Sequence, residues 1–267
     1  MSMLKSLAIE FWLKKELAAD KHKLPVLLDQ YLRQNLADEQ AQLIEAQPIC
    51  PYSQYVLPSG EKDGKLKFTW QINALNTIAA ENILYPLYKR AEKTLFLNEI
   101  VQPEIESRNY VHSATYNQLV AKNFTSSRRC RFIEFSFMTN TVLSSADRVS
   151  FPLAAKEVIS DLLWKWNCFA EKDIIDNSAH SIADDLAEQM QDEDYNLNIR
   201  PYSREKGISS FTGSCTWRLN ANIMSQKLLC ILAQYAPYCG IGINNHLGMG
   251  AVQTNIYNYR KDRGQNG

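Results

Sequence analysis

The chain has 267 residues, of which 45% are hydrophobic and 22% charged, and its 29 basic residues are balanced by 29 acidic ones. That length admits one large domain or two ordinary ones, and the composition belongs to a folded chain rather than a disordered one. A zero net charge argues against a uniformly basic nucleic-acid binder, and no apolar run approaches the roughly 18 residues of a membrane span, so a cytoplasmic location with no membrane partner is expected.

Ser6 to Leu17 alternates apolar residues, including Ile9, Phe11 and Leu13, as a strand does. The basic stretch Lys21-His22-Lys23 leads to Pro25, a residue suited to a first helical turn. Leu24, Leu28, Tyr31, Leu32 and Leu36 then form the stripe of a helix that ends before Pro48. CPYSQYVL, from Cys50 to Leu57, predicts a strand turning at Pro58-Ser59-Gly60, and Lys65 to Leu75 predicts its partner, with Phe68, Trp70 and Ile72 on one face. A helix over Thr77 to Lys93 contains Pro86, which kinks it, and strands follow at Leu95 to Ile100 and Glu104 to Val111. Strand, helix, strand, strand, helix, strand is the split βαβ order of a ferredoxin-like fold.

Tyr116 to Lys122 reads as a linker helix and Thr125 to Arg129 as a polar, basic connection, so the expected domains are residues 1–125 and 126–267. The second repeats the pattern. RFIEFSF (Arg131 to Phe137) is a strand, and Leu153 to Phe169 is a helix with Val158, Leu162, Trp166 and Phe169 on one stripe. Between Glu171 and Asp194 nine acidic residues meet one lysine, which leaves a basic surplus on the rest of the chain. In FTGSCTWRLN the residues Phe211, Gly213, Cys215, Trp217 and Leu219 alternate with polar ones, and Met224, Leu228, Ile231, Leu232 and Tyr235 then recur at helical spacing.

YAPYCGIGINNHLGMGAV follows, with Gly240, Gly242, Gly248 and Gly250 in eleven positions of a chain that has only 10 glycines. Such a concentration calls for positive φ or for a surface that another molecule approaches closely. A dinucleotide fingerprint is excluded because here the helix precedes the glycines, and a Walker loop because no Gly-Lys-Ser/Thr is present. Met249 to Tyr257 reads as the closing strand. The expected class is α+β: two tandem ferredoxin-like domains with a C-terminal glycine-rich loop.

The six cysteines are scattered without a C-x-x-C, and the four histidines lack metal-type spacing, so buried thiols and no metal or cofactor are expected. Trp164, Trp166 and Trp217 are expected in the core, and His112 and His180 are ordinary surface residues.

These segments, in this order, resemble the CRISPR-associated endoribonucleases of the Cas-six family within the RAMP superfamily. CPYSQYVL is similar to the family's P-F/Y-T/S-x-S-x-L stretch, with Tyr55 where serine is commoner. ATYNQLVAKN, IEFSFMTNTVLSS and FPLAAKEVISDLLWKWNCF resemble S-Y-x-x-L, L-x-F-x-T-P-T-x-F and P-x-P-x-x-V-x-x-S-L-x-x-R-W-N-x-F, with Asn140 in place of the usual proline. FTGSCTWRL and CGIGINNHLGMGAVQ resemble the closing F-x-G strand and glycine-rich loop.

The resemblance implies binding of CRISPR repeat RNA and metal-independent cleavage of precursor CRISPR RNA to guide RNAs. A ribose 2′-hydroxyl attacks the adjoining phosphate, leaving 2′,3′-cyclic phosphate and 5′-hydroxyl ends. That reaction needs a base, an acid and donors around the charged phosphorane, and histidine can fill either proton-transfer role near neutrality. Family members commonly carry a catalytic histidine between the first helix and the P-Y-S segment, where Ala37 to Ile49 has none. Other branches place it between the first strand and first helix, which makes His22 the candidate acid or base. Tyr31 joins it as a catalytic candidate, and Lys21, Lys23 and Arg33 are candidate phosphate contacts. His246 with Gly240, Gly242, Gly248 and Gly250 forms the candidate RNA-contacting loop, while Arg128, Arg129 and Arg131 form one basic cluster and Arg204 and Lys206 another. Three readings stay open: a repeat-specific endoribonuclease, a catalytically inactive guide-RNA-binding subunit of a CRISPR effector complex, and a non-cleaving backbone subunit of the same superfamily.

Overall fold

The computed structural model describes residues 3–18, 23–127, 129–143, 153–170, 179–203 and 208–258, and two four-stranded antiparallel sheets succeed one another along it. The first contains β1 (Met3–Lys14), β2 (Tyr52–Lys62), β3 (Lys65–Ala74) and β4 (Glu104–Thr115), in the order β2-β3-β1-β4. The second contains β5 (Phe132–Thr141), β6 (Met190–Ser203), β7 (Ile208–Leu219) and β8 (Val252–Tyr257), in the order β6-β7-β5-β8. In each, the unit's third strand lies between its first and second while the fourth flanks the first. This is the ferredoxin-like arrangement, twice in tandem. Among the described residues no helix is long and apolar enough to cross a membrane.

Period-two patterning in β1 turns Leu7, Ile9, Phe11 and Leu13 to one buried face, where they meet Ile72, Trp70 and Phe68 of β3. Helix α1 (Leu24–Gln34), with Pro25 in its first turn, covers that face with Leu24, Leu28 and Leu32. Each such side chain contributes about 1.5–3 kcal/mol by leaving water. A separate short helix, α2 (Asp38–Glu45), follows, its N-terminus closed where Gln40 Oε1 accepts from the Ala37 N–H at 3.1 Å.

Two expectations for this half need correction. The β2 strand does not turn at Pro58-Ser59-Gly60. It continues past a bulge between Pro58 and Gly60 and turns at Asp63-Gly64, whose φ values of 50° and 72° suit a two-residue hairpin. Leu95 to Ile100 is not a strand. Asn98 Oδ1 accepts from the N–H groups of Ile100 and Val101, which folds the segment back so that Leu97 N–H reaches Val101 O and Leu95 N–H reaches Pro103 O. Only Thr94 bridges to Glu104. The predicted kink takes the form of a π-helical turn, Ala80–Leu84, between α3 (Thr77–Ala79) and α4 (Tyr85–Lys89). Pro86, with no N–H to donate, sits in the first turn of α4.

Helix α5 (Tyr116–Thr125) joins the sheets, and its Tyr116 and Leu119 pack into the second core. That core lies between the second sheet and helices α6 (Ala155–Phe169), α7 (Ala179–Glu188) and α8 (Ile223–Cys239). The acidic stretch thus contributes a helix the sequence did not announce, held by buried Ala183 and Leu186. Phe211, Cys215, Trp217 and Leu219 of β7 all face the core, as their alternation predicts.

Helix α8 ties the halves together through its own unmet carbonyls. Pro237 cannot donate to Ala233 O, and the Thr254 hydroxyl does so instead at 2.7 Å. The carbonyls of Pro237 and Tyr238, in the last turn where no helical donor remains, accept from Asn73 Nδ2 and Ser53 Oγ of the first sheet.

Candidate functional site

Past Cys239 the chain enters the glycine loop, with positive φ at Gly240, Gly242, Gly248 and Gly250 and at Asn244. Two glycines show what the loop is for. A Cβ on Gly242 would lie 2.1 Å from Val142 O, which already accepts from Ile243 N–H at 2.9 Å. A Cβ on Gly248 would lie 2.5 Å from Pro25 Cβ, in the first turn of α1. The close neighbour at these positions is therefore the protein's own chain, and all four glycines take the positive φ that their concentration called for. Gly248→Val should lower stability by at least the roughly 1–3 kcal/mol of a β-branched residue held at positive φ, with the Pro25 clash added. An unchanged urea midpoint would contradict this packing.

A buried lysine fixes the loop's shape. Lys165 Nζ, on α6, donates to Gly240 O at 3.1 Å, Gly242 O at 2.8 Å and Asn245 Oδ1 at 2.8 Å. It also pairs with Asp161 Oδ2 at 2.8 Å, one helical turn earlier, and that same oxygen accepts from Gly242 N–H at 2.8 Å. Asn245 Nδ2 donates to the carbonyls of Ile241 and Met249, closing the loop on itself. Lys165 thus satisfies loop carbonyls that would otherwise be left unmet.

The loop's short 3-10 turn, Asn245–Leu247, packs against β2 and α1. Gln54 Nε2 donates to His246 O at 2.6 Å and to Pro25 O at 3.0 Å, while Gln54 Oε1 accepts from Trp70 Nε1 at 2.6 Å. The half-buried His246 ring stands edge-on to Tyr52, with centroids 6.4 Å apart. The Tyr52 hydroxyl donates to Asp29, whose second oxygen accepts from Arg33 Nε at 2.9 Å. Burial pulls the His246 pKa below its ordinary 6.5, with Asp29 opposing and Arg33 assisting, so the imidazole is neutral at pH 7. Burial likewise pushes the Cys50 thiol up to about 11 and raises the Tyr52 hydroxyl, so both keep their protons.

A histidine whose folded pKa is depressed adds stability that is complete above pH 6.5 and is lost as pH falls through the folded value. The urea midpoint of the wild type should therefore fall towards that of His246→Gln between pH 7 and pH 5, with a constant gap above pH 7.5. Parallel curves over the whole range would contradict the burial argument.

A cleft of about 350 Å³ opens beside this loop, lined by Ile49, Cys50, Tyr52, Trp164, Asn244 and His246 among others. Trp164 is 54% exposed there, which corrects its expected place in the core, whereas Trp166 and Trp217 are buried as expected. Of the candidate residues, the structure brings His246, Arg33 and the four glycines to this region. It does not bring Tyr31, which is 9% exposed and packs in the first core, its hydroxyl accepting from Arg90 Nη1 at 2.7 Å beside α4. Lys23 is exposed immediately before α1.

Arg129 and Arg131 are exposed at the other end of the second sheet. There β5 starts opposite Tyr257, whereas it meets Val252 beside the loop five residues later, a separation of about 17 Å at a strand's rise. Arg129 lines a different cleft, of about 850 Å³, between α5 and α8. Lys21, His22, Arg128, Arg204 and Lys206 lie outside the described residues. Among the described residues no group of three His, Cys, Asp or Glu side chains is arranged to hold a metal. Asp29, Gln54, Tyr52, Asp161 and Lys165 were not legible as one site because their contacts span up to 192 positions of sequence.

Residues 135–252 match the protein family described as CRISPR-associated endoribonuclease Cas6. No curated protein matches the chain in sequence. Among solved structures, a Cas6 product complex aligns over 95% of this chain and 100% of its own, with a TM-score of 0.72 and 21% identity. A Cas6 substrate mimic complex aligns over 95% and 99%, with a TM-score of 0.67 and 15% identity. Thermus thermophilus Cas6 aligns over 95% and 99%, with a TM-score of 0.60 and 18% identity. At these identities the likeness is one of fold.

Proposed function

We propose that this chain, which belongs to the Cas6 family by its residues 135–252, binds CRISPR repeat RNA in the groove between its two sheets and cuts precursor CRISPR RNA into guide RNAs. The observation that carries the reading is the seat of Gly248 on Pro25, with Gln54 bonded to both Pro25 O and His246 O. It puts the described end of the strand-to-helix connection, three residues after His22, against the glycine loop, so that groups from both halves can meet one phosphate. We take the boundary between these halves to fall between residues 125 and 126.

In this reading the 2′-oxygen forms a bond to phosphorus as the P–O5′ bond breaks, leaving a 2′,3′-cyclic phosphate and a 5′-hydroxyl. His22 supplies or removes a proton at one of those oxygens. Lys21, Lys23 and Arg33 hold the charged phosphorane, and the neutral His246 contacts a base edge or a sugar hydroxyl. Arg204 and Lys206 add phosphate contacts in this reading; the described residues before and after them, Ser203 and Ile208, pair at the end of the sheet nearer the glycine loop. Tyr31 has no part, since its hydroxyl is engaged with Arg90 beside α4.

The test is incubation of the purified protein with repeat RNA from its own locus in EDTA. Cleavage at one position, with a cyclic phosphate on the upstream product, is the expected result. Binding without cleavage would favour the guide-RNA-binding subunit instead, a reading motivated by the absence of histidine between Ala37 and Ile49. No binding would end both.

A further inference from the structure

Of the chain's five tryptophans, Trp70, Trp166 and Trp217 are fully buried and Trp12 is half-buried. Trp164 alone leaves more than half of its surface in water. It stands on α6 between Asp161 and Lys165, the pair that fixes the glycine loop, and away from the stripe of Val158, Leu162, Trp166 and Phe169 that anchors the helix. Its indole lies off the stripe that packs the helix, and it borders the 350 Å³ cleft that Ile49, Cys50 and Tyr52 also line.

The chemistry of the cleft selects its guest. Its apolar walls are Ile49, Leu75, Ile243 and the indole, and its polar edges are the amide of Asn244 and the imidazole of His246. Cys50 and His246 are both uncharged at pH 7, and Asp161 and Lys165 neutralise one another. A phosphate would find no unopposed cation at this wall. A flat, neutral ring with apolar faces and hydrogen-bonding edges fits it.

We infer that Trp164 is a stacking platform for one unpaired nucleobase of the bound RNA, seated in the cleft between α6, the glycine loop and Cys50–Tyr52. This rests on the RNA-binding reading above and deepens it, because it makes one position of the RNA contribute more than the others. The walls are pre-formed, since Lys165 and Asn245 hold the loop through side-chain bonds already made without a ligand. Stacking of this kind tolerates any base, so the selectivity lies in which nucleotide is unpaired there.

The experiment is an abasic scan. Single abasic sites are placed along the repeat RNA, and the affinity of each RNA is measured for wild type, Trp164→Ala and Trp164→Phe under non-cleaving conditions, with thermal melts confirming that the variants fold. Trp164→Ala should bind intact RNA about 5- to 100-fold more weakly, and Trp164→Phe should keep most of the affinity. One abasic position should cost the wild type a similar factor and cost Trp164→Ala almost nothing more. RNA should also quench tryptophan fluorescence in the wild type and much less in Trp164→Phe. Trp164→Ala binding within twofold of wild type, or equal abasic losses in both proteins at every position, overturns the platform while leaving RNA binding intact. A wild type that binds no repeat RNA overturns both.

Discussion

Replacing Lys165 by methionine should lower the unfolding free energy by about 3–5 kcal/mol, the usual cost of removing one member of a buried ion pair. The methionine fills much the same space, so the loss is electrostatic. Asp161 is left nearly buried without its counter-charge, and Gly240 O, Gly242 O and Asn245 Oδ1 lose their shared donor. Because the glycine loop is shaped by those three bonds, near-ultraviolet signals from the aromatic residues around it should broaden in the same variant. Lys165→Met combined with Asp161→Asn should recover part of the loss, since no uncompensated charge then remains, whereas independent sites would add. Urea titrations of the four proteins read this directly. A single-variant loss below about 1 kcal/mol would mean that water reaches the carbonyls and that the pair does not hold the loop.

On the chemical side, His22→Ala should slow cleavage of repeat RNA by roughly 10² to 10⁴, the contribution of one general acid or base, with RNA affinity almost unchanged. The separation of rate from affinity is the decisive part. A histidine that only gripped phosphate would weaken binding and leave single-turnover cleavage of the bound RNA nearly intact. If the wild type cuts and His22→Ala cuts equally fast, the proton transfer belongs elsewhere, and His246, neutral and at the loop's centre, becomes the first residue to replace.

How far the chain could be read from its letters varied by element. The alternation of β1, β3 and β7 and the stripe of α6 were plain because a single sheet face or helix face does the burying, and periodicity registers that. Pro58-Ser59-Gly60 reads as a turn by composition, but the hairpin closes at Asp63-Gly64, which the sequence reading passed over. Leu95 to Ile100 opens with three consecutive apolar residues, as a short strand can, yet Asn98 folds the backbone before any strand partner is reached. Trp164 could have been separated from the core by its offset of two from Leu162, which places it on the opposite face of α6. The Asp161–Lys165 spacing is local, but no local pattern could have revealed the carbonyls that Lys165 meets about 75 residues away, nor Tyr31's engagement with Arg90. The glycines were found because scarcity made them conspicuous, and their positive φ was legible; that Pro25 and Val142 are their near neighbours was not, since sequence shows that room is needed and not who occupies it.

Gln54 has one side-chain amide with two N–H groups and one carbonyl, and all three are spoken for: by Pro25 in α1, by His246 in the loop and by Trp70 in β3. The amide cannot flip or turn without leaving a buried indole or a buried carbonyl unmet. A hinge between the halves would have to break the Gln54–His246 bond together with the bonds from Ser53 and Asn73 to the end of α8. The two halves are therefore held at a fixed spacing, and amide hydrogens on both sides of this seam should exchange with solvent through one shared opening event.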